Sequence, residues 1–299
     1  MRNHFQILHA ILAALTLAAC SSPAPLSQRN AVTDIVAVEH RFADAVAAQG
    51  TRDGFLQFAA PDAVQLRDRP VAAVNTLRAE PPDHIWLDWY PDHIAVSAAQ
   101  DLAVSTGPYE ARSQREGKRS DVGRFFSVWR RDESGEWKFL VDGGVDQGIA
   151  ACAPCLPVGA ERHPVPWASP DASALMNAKA GLANDVVSGD TAAESQFWAQ
   201  AGASDLAGTL TAYRHDALLL RAKTGALTGS AAIQTALQDR MGLVVRSRRL
   251  AMSASGDLAC WIGTNETADG KAKFDWVRIW VRNGSDWGIL LDWEQTIAH

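Results

Sequence analysis

The chain has 299 residues, 47% hydrophobic and 21% charged, with 22 glycines and 13 prolines; this is an ordinary globular composition, and the length suggests about two domains. A formal net charge of −6 argues against nucleic acid as a partner, because phosphates favour a basic face. Eleven tryptophans require cores, an interface or a pocket to hold them.

In chain order, "MRNHFQILHAILAALTLAAC" comes first, with Arg2 ahead of an apolar run from Phe5 to Ala19. The run is too short and too alanine-rich for a comfortable membrane span, so residues 1–19 read as an export signal. "LAAC", Leu17 to Cys20, resembles the bacterial lipoprotein cleavage box. That resemblance implies cleavage before Cys20 and acylation of its thiol and new N-terminus. Each buried methylene contributes roughly 0.8 kcal/mol, so two or three chains anchor a protein stably. The expected location is the bacterial cell envelope, facing the periplasm, with the lipid bilayer as a partner. Ser21 follows the cysteine where inner-membrane retention often uses Asp, which favours the outer membrane. Residues 20–31, including "SSPAPLSQRN", are expected to form a flexible tether.

Residues 32–147 read as a first folded domain. "HRFADAVAAQG" (40–50) is an amphipathic helix closed by glycine, "APDAVQLR" (60–67) an apolar strand, and "PVAAVNT" (70–76) a second helix. "DLAVSTGPYE" (101–110) is a strand, and "VWRRDESGEWKFLVD" (128–142) is two strands joined by the turn residues DESG. The two "DHI" stretches, Asp83–Ile85 and Asp92–Ile94, lack metal-binding spacing and are expected in loops.

Residues 148–171 are rich in Gly and Pro, lack periodicity and read as a linker. It contains "CAPC", Cys152 to Cys155. A thioredoxin-like site would need the first cysteine at a helix N-terminus, and zinc would need more ligands than His163 and distant Cys260 can add. A disulfide between Cys152 and Cys155 that stiffens the linker is the expectation in an oxidising compartment. Cys260, beside Trp261, reads as a small buried apolar residue.

Residues 172–299 repeat the first domain in the same order. "AGLANDVVSGD" (180–190), "RHDALLLR" (214–221), "GSAAIQT" (229–235), "DLACWIGTNE" (257–266) and "IWVRNGSDWGILLD" (279–292) each answer a segment of the first domain. Their spacing is uneven, as expected when surface loops grow and shrink. Helices followed by consecutive strands with hairpin turns imply an α+β arrangement: two domains, each a curved antiparallel sheet packed against N-terminal helices.

"DWYPDHIAVSAAQDLAVSTGPYE" followed by "GRFFSVWRRDESGEWKFLVDGG" resembles the nuclear transport factor 2-like superfamily in its SnoaL-like branch. The resemblance is close over 32–147 and looser over 172–296, and it implies two cone-shaped domains. Single domains of this superfamily commonly dimerise through the outer faces of their sheets. Alternation places Phe125, Ser127 and Trp129 on one face, answered by Trp276, Arg278 and Trp280. Those aromatic faces are expected to bury each other in an internal pseudo-dimer of the two domains, or to join separate chains.

The resemblance also places a pocket at the open end of each cone, where enzymes of the fold use an Asp or His base in apolar surroundings. The candidates are Trp89, Tyr109, Arg124 and Asp142 in the first domain, and Tyr213, His215, Asp275 and Asp292 in the second. Asp142 and Asp292 match across the repeat and are the catalytic candidates, with turn capping as the alternative role. His215 and Asp216 are strand neighbours facing opposite sides, so they do not read as a dyad. No G-x-S-x-G, P-loop, dinucleotide fingerprint or H-E-x-x-H occurs, so no cofactor and no metal are expected. The leading functional expectation is a lipid-anchored protein that binds a small molecule or a protein partner through its cones. The alternative is an isomerase, dehydratase or cyclase with a pocket Asp as general base. What separates them is a buried Asp or His facing an otherwise apolar cavity.

Overall fold

The structure, a computed structural model, describes residues 26–148, 165–166, 209, 211–222, 224–237, 240, 243–284 and 286–298. Cys20, Cys152 and Cys155, and with them the export signal and the disulfide expectation, lie outside the described residues. No helix among these residues is long and apolar enough to cross a membrane.

Helix α1 (Leu26–Gln49) begins inside the stretch expected to be a tether. Ala31, Ile35, Val38, Phe42 and Val46 recur at helical spacing and are all buried, so the apolar stripe starts before residue 32 and recruits its flank into the helix. Gly50 ends it at φ 85°, where a Cβ would stand 2.1 Å from the Asp83 carbonyl oxygen. Helix α2 (Thr51–Phe58) follows. Its first turn is held from outside by Asp83, whose carboxylate accepts from the Thr51 and Arg52 backbone N–H groups at 3.2 Å each. An anion there satisfies orphan donors and suits the helix dipole.

The first sheet contains β1 (Ala59–Leu66), β2 (Pro70–Ala72), β3 (Trp86–Trp89), β4 (His93–Val96), β5 (Leu102–Arg112), β6 (Arg119–Arg131), β7 (Trp137–Asp146) and β8 (Val165–Pro166), with helix α3 (Ala73–Ala79) after β2. Its order is β2-β1-β7-β6-β5-β4-β8, and β3 also pairs with β5. The second sheet contains β9 (Tyr213–Arg221), β10 (Gly225–Thr228), β11 (Val244–Met252), β12 (Leu258–Glu266), β13 (Ala272–Asn283) and β14 (Asp286–Thr296), with helix α4 (Ser230–Ala236) after β10. Its order, β10-β9-β14-β13-β12-β11, repeats that of the first. Both long hairpins even slip register at matching places, between Val128 and Trp129 and between Ile279 and Trp280. Such bulges bend a sheet and raise its twist.

The fold is α+β with two curved sheets, but the sheets are mixed rather than antiparallel. Strand β1 runs parallel to β7, and β9 parallel to β14. In the first half the strand that follows the helices inserts beside the last strand, and β9 pairs with β14 in the same way; the helix expected over residues 180–190 lies outside the described residues. Two smaller expectations also change. The second "DHI" enters β4 rather than a loop, and Val165–Pro166, inside the expected linker, pairs in parallel with that same strand.

The largest correction concerns the faces. Phe125 and Trp129 pack inward, in a cluster with Phe42, Phe55, Trp89 and Phe139. Trp276 and Trp280 likewise lie within their own half, with Ile233, Leu237 and Trp261. The two sheets meet through the opposite faces: Val104, Phe126, Val128 and Leu140 share one cluster with Cys260, Val277, Ile279 and Leu290. Large rings help to fill the deep concave side of each curved sheet, whereas two stacked sheets sit about 10 Å apart and here interdigitate mainly aliphatic side chains. Tryptophan also needs a partner for its N–H: Glu39 on α1 serves Trp89 and Trp129, and Asn265 on β12 serves Trp276.

Candidate functional site

A cavity of about 320 Å³ opens into the first half, lined by Phe42, Phe55, Leu87, Trp89, Phe125 and other residues that include Asp142. Alternation on β7 aims Asp142 into it, and the next two positions, Gly143 and Gly144, carry no side chain to fill it. Helices α1 and α2 bring Phe42 and Phe55, whose rings meet edge-on with centroids 4.7 Å apart. Trp89 stands against Phe42 at 4.9 Å. The walls are therefore rigid and apolar.

Asp142 is buried, and its carboxyl accepts a hydrogen bond from Ser127 Oγ at 2.7 Å. Burial, with the nearby Glu39 carboxyl adding to it, pushes its pKa up to about 8. At neutral pH it is chiefly a protonated acid, able to donate a hydrogen bond or to exchange a proton. It caps no turn, which removes the alternative role weighed from the sequence.

Behind the cavity lies a second buried carboxyl. Glu39 on α1 accepts from Trp89 Nε1 and Trp129 Nε1 at 2.9 Å each, and from the Ser105 hydroxyl. Burial raises its pKa, and the three donors pull the other way. Glu39 therefore locks Trp89 in the cavity wall. Sequence reasoning did not select it, although an acid at i+4 from Ile35 within an apolar helical stripe was a visible signal. Tyr109 also lines the cavity, and its hydroxyl donates to Asp121 at 2.8 Å. Burial and that carboxylate raise its pKa, so it stays a phenol.

Arg124 does not reach the cavity. It shares a face with Phe126 and bonds Asp92, Thr106 Oγ1 at 3.2 Å and His93 Nδ1 at 3.2 Å. Asp275, its counterpart, is also on the outer face, where Arg69 from the first half donates to it at 2.9 Å. That pair borders an open groove between the halves. His215 is exposed on β9 and joins no site. These three misplacements share one cause, since alternation sorts a strand's residues into two sets without saying which set faces inward.

In the second half, the position equivalent to the cavity is occupied by charge. Asp292, fully buried, accepts from the Tyr213 hydroxyl and from Arg278 Nε at 3.0 Å. Arg278 stands where the first half has Ser127, and its guanidinium lies 4.1 Å from the Trp276 ring centroid. Glu294 stands where the first half has Gly144, paired to Arg221 at 2.9 Å and Arg240 at 3.0 Å. Burial raises the pKa of Asp292, and the charge of Arg278 opposes that rise. Among the described residues, then, the matched aspartates differ: Asp142 faces space and Asp292 an ion pair. No cluster of potential metal ligands occurs among the described residues.

No family model matches the sequence, and no curated protein matches it. Solved structures do. A nuclear transport factor 2-like protein of unknown function from Shewanella oneidensis matches 38% of this chain and 96% of its own, at 15% identity and a TM-score of 0.31. A nuclear transport factor 2-like protein with a cystatin-like fold from Novosphingobium aromaticivorans matches 44% and 93%, at 17% identity and 0.32. A proposed ketosteroid isomerase from Parabacteroides distasonis matches 36% and 82%, at 19% identity and 0.28.

Proposed function

We propose that the first half binds a small, uncharged, largely apolar molecule that carries a hydrogen-bond acceptor, with Asp142 as the donor that orients it. The observation that carries this reading is a buried, protonated carboxyl facing an aromatic cavity in which no Lys or Arg side chain takes part. An anionic ligand would find no counter-charge there, and a hydrocarbon would leave the Asp142 O–H without an acceptor, at a cost of about 1–3 kcal/mol. In this reading the chain is two fused nuclear transport factor 2-like units, and acylated Cys20 tethers them to the outer membrane.

A second reading rests on the same group. A carboxyl whose pKa lies near the working pH suits general acid–base catalysis of an isomerase or dehydratase kind. The two differ in sign: binding through the protonated donor weakens above pH 8, whereas a rate that depends on the carboxylate base increases.

Thermal shift with a panel of neutral ketones and alcohols, each beside its hydrocarbon analogue, tests the site. A ligand at a hundred times its dissociation constant stabilises by about 2.7 kcal/mol. The acceptor-bearing member of each pair should shift the protein more, and Asp142→Leu should erase that preference. Equal shifts for both members would sink the reading. The anchor is tested separately, by the mass of the mature N-terminus and by release of Cys20→Ser from membranes.

A further inference from the structure

We infer that Trp293, contributed by the second half, is a positioning residue for the cavity of the first half. The inference rests on the binding reading above. Its indole Nε1 donates to the carbonyl oxygen of Gly144 at 3.0 Å, across 149 positions of sequence. Gly144 lines the cavity together with Gly143 and Asp142, so the bond fixes the stretch of β7 that carries the acid.

One edge of that stretch is laddered to β6, from Ser127 with Asp142 to Gly123 with Asp146, but its other edge loses its strand. The parallel pairing of β1 with β7 ends at Gln65 with Asp142. The matching pairing in the second half continues through Leu220 with Trp293 and Arg221 with Glu294. In the first half the strand therefore passes Asp142 without further pairing to β1, on two glycines that anchor nothing through side chains. Neither can gain one in place. A Cβ on Gly143 would stand 2.5 Å from the Leu66 Cβ, and one on Gly144 2.7 Å from the Arg124 carbonyl oxygen. Trp293 is buried to 1% exposure, in the shared cluster between the sheets, so its ring cannot swing away from the carbonyl. The second half thus supplies a fixed donor just past the place where β1 stops pairing with β7, and the cavity depends on both.

Trp293→Phe keeps most of the ring packing and removes the N–H. Asp257→Asn loosens the contact between halves elsewhere, at the Ala98 amide, and serves as the comparison. Two readouts are taken on the whole chain: amide exchange over residues 142–146, and the affinity for the neutral fluorophore N-phenyl-1-naphthylamine. With Trp293→Phe, exchange over that stretch should quicken and the dissociation constant rise by about fivefold or more, the size of one lost hydrogen bond. With Asp257→Asn, the melting temperature should fall while both readouts stay at the wild-type value. Unchanged exchange in Trp293→Phe, or equal effects of the two variants on probe affinity, would overturn the inference. If the wild type does not bind the probe, the binding reading fails at this cavity, and the exchange measurement still decides whether Trp293 holds the wall.

Discussion

Asp101 and Asp257 each cap their own turn and reach across to the other's. Asp101 accepts from Ser97 Oγ at 2.8 Å and from the backbone N–H of Ala254 at 2.8 Å. Asp257 accepts from Ser253 Oγ at 2.6 Å and from the backbone N–H of Ala98 at 2.9 Å. The turns SAAQD and SASGD thus exchange equivalent bonds about a local two-fold axis, the pattern of an isologous contact realised within one chain.

The two turns differ at one place that matters. Gln100 adopts φ 57°, and its counterpart Gly256 adopts φ 66°. A side chain in the left-handed region costs roughly 1–2 kcal/mol, part of which glycine returns through a more flexible unfolded chain. Gln100→Gly should therefore stabilise the protein, by about 0.5–1 kcal/mol in urea unfolding. A loss of stability would show that the Gln100 side chain holds the turn by its own contacts.

The acid in the cavity sets a pH dependence. Its pKa lies at about 8 in the folded chain, above the ordinary 3.8, so the folded state holds the proton more tightly. The stability this contributes is complete below about pH 4 and is lost as the pH rises towards 8. Each tenfold difference in proton affinity is about 1.4 kcal/mol, which puts a ceiling of roughly 6 kcal/mol on the effect. Asp142→Asn should gain steadily on the wild type as the pH rises from about 4 to about 8, by urea unfolding at both ends of that range. A difference between the two proteins that stays constant with pH would remove the buried-acid description.

The ion pair of the second half makes the opposite prediction for a single substitution. Arg278→Met leaves Asp292 buried with only Tyr213 beside it, and breaking one side of such a pair costs about 3–5 kcal/mol. Arg278→Met with Asp292→Leu should recover most of that, because two apolar groups need no compensation. A double-mutant cycle in urea reads the coupling. Additive losses would mean that the two side chains do not depend on each other.

Much of this was legible in the residues. The helix closed by Gly50, the strands around "APDAVQLR" and "RHDALLLR", and both long hairpins follow from local spacing and turn chemistry. So did the pairing of Asp142 with Asp292, because the strands of the two hairpins align on either side of turns that differ in length by one residue. Glu39 was legible in principle, as an acid inside an apolar stripe. Trp293 was not, because its bond to Gly144 joins two segments about half the chain apart.

Among the described residues, most elements, their repeated order and which residues share a face could be read from the chain alone, because these depend on period and on neighbours a few positions away. Packing of the whole chain was needed to decide which face turns inward, that most aromatic rings fill each half while a mainly aliphatic cluster with Phe126 and Trp293 joins them, and that one matched aspartate meets a cavity and the other an arginine. Those outcomes depend on volume and on charge brought together from distant strands, and no local pattern carries that information.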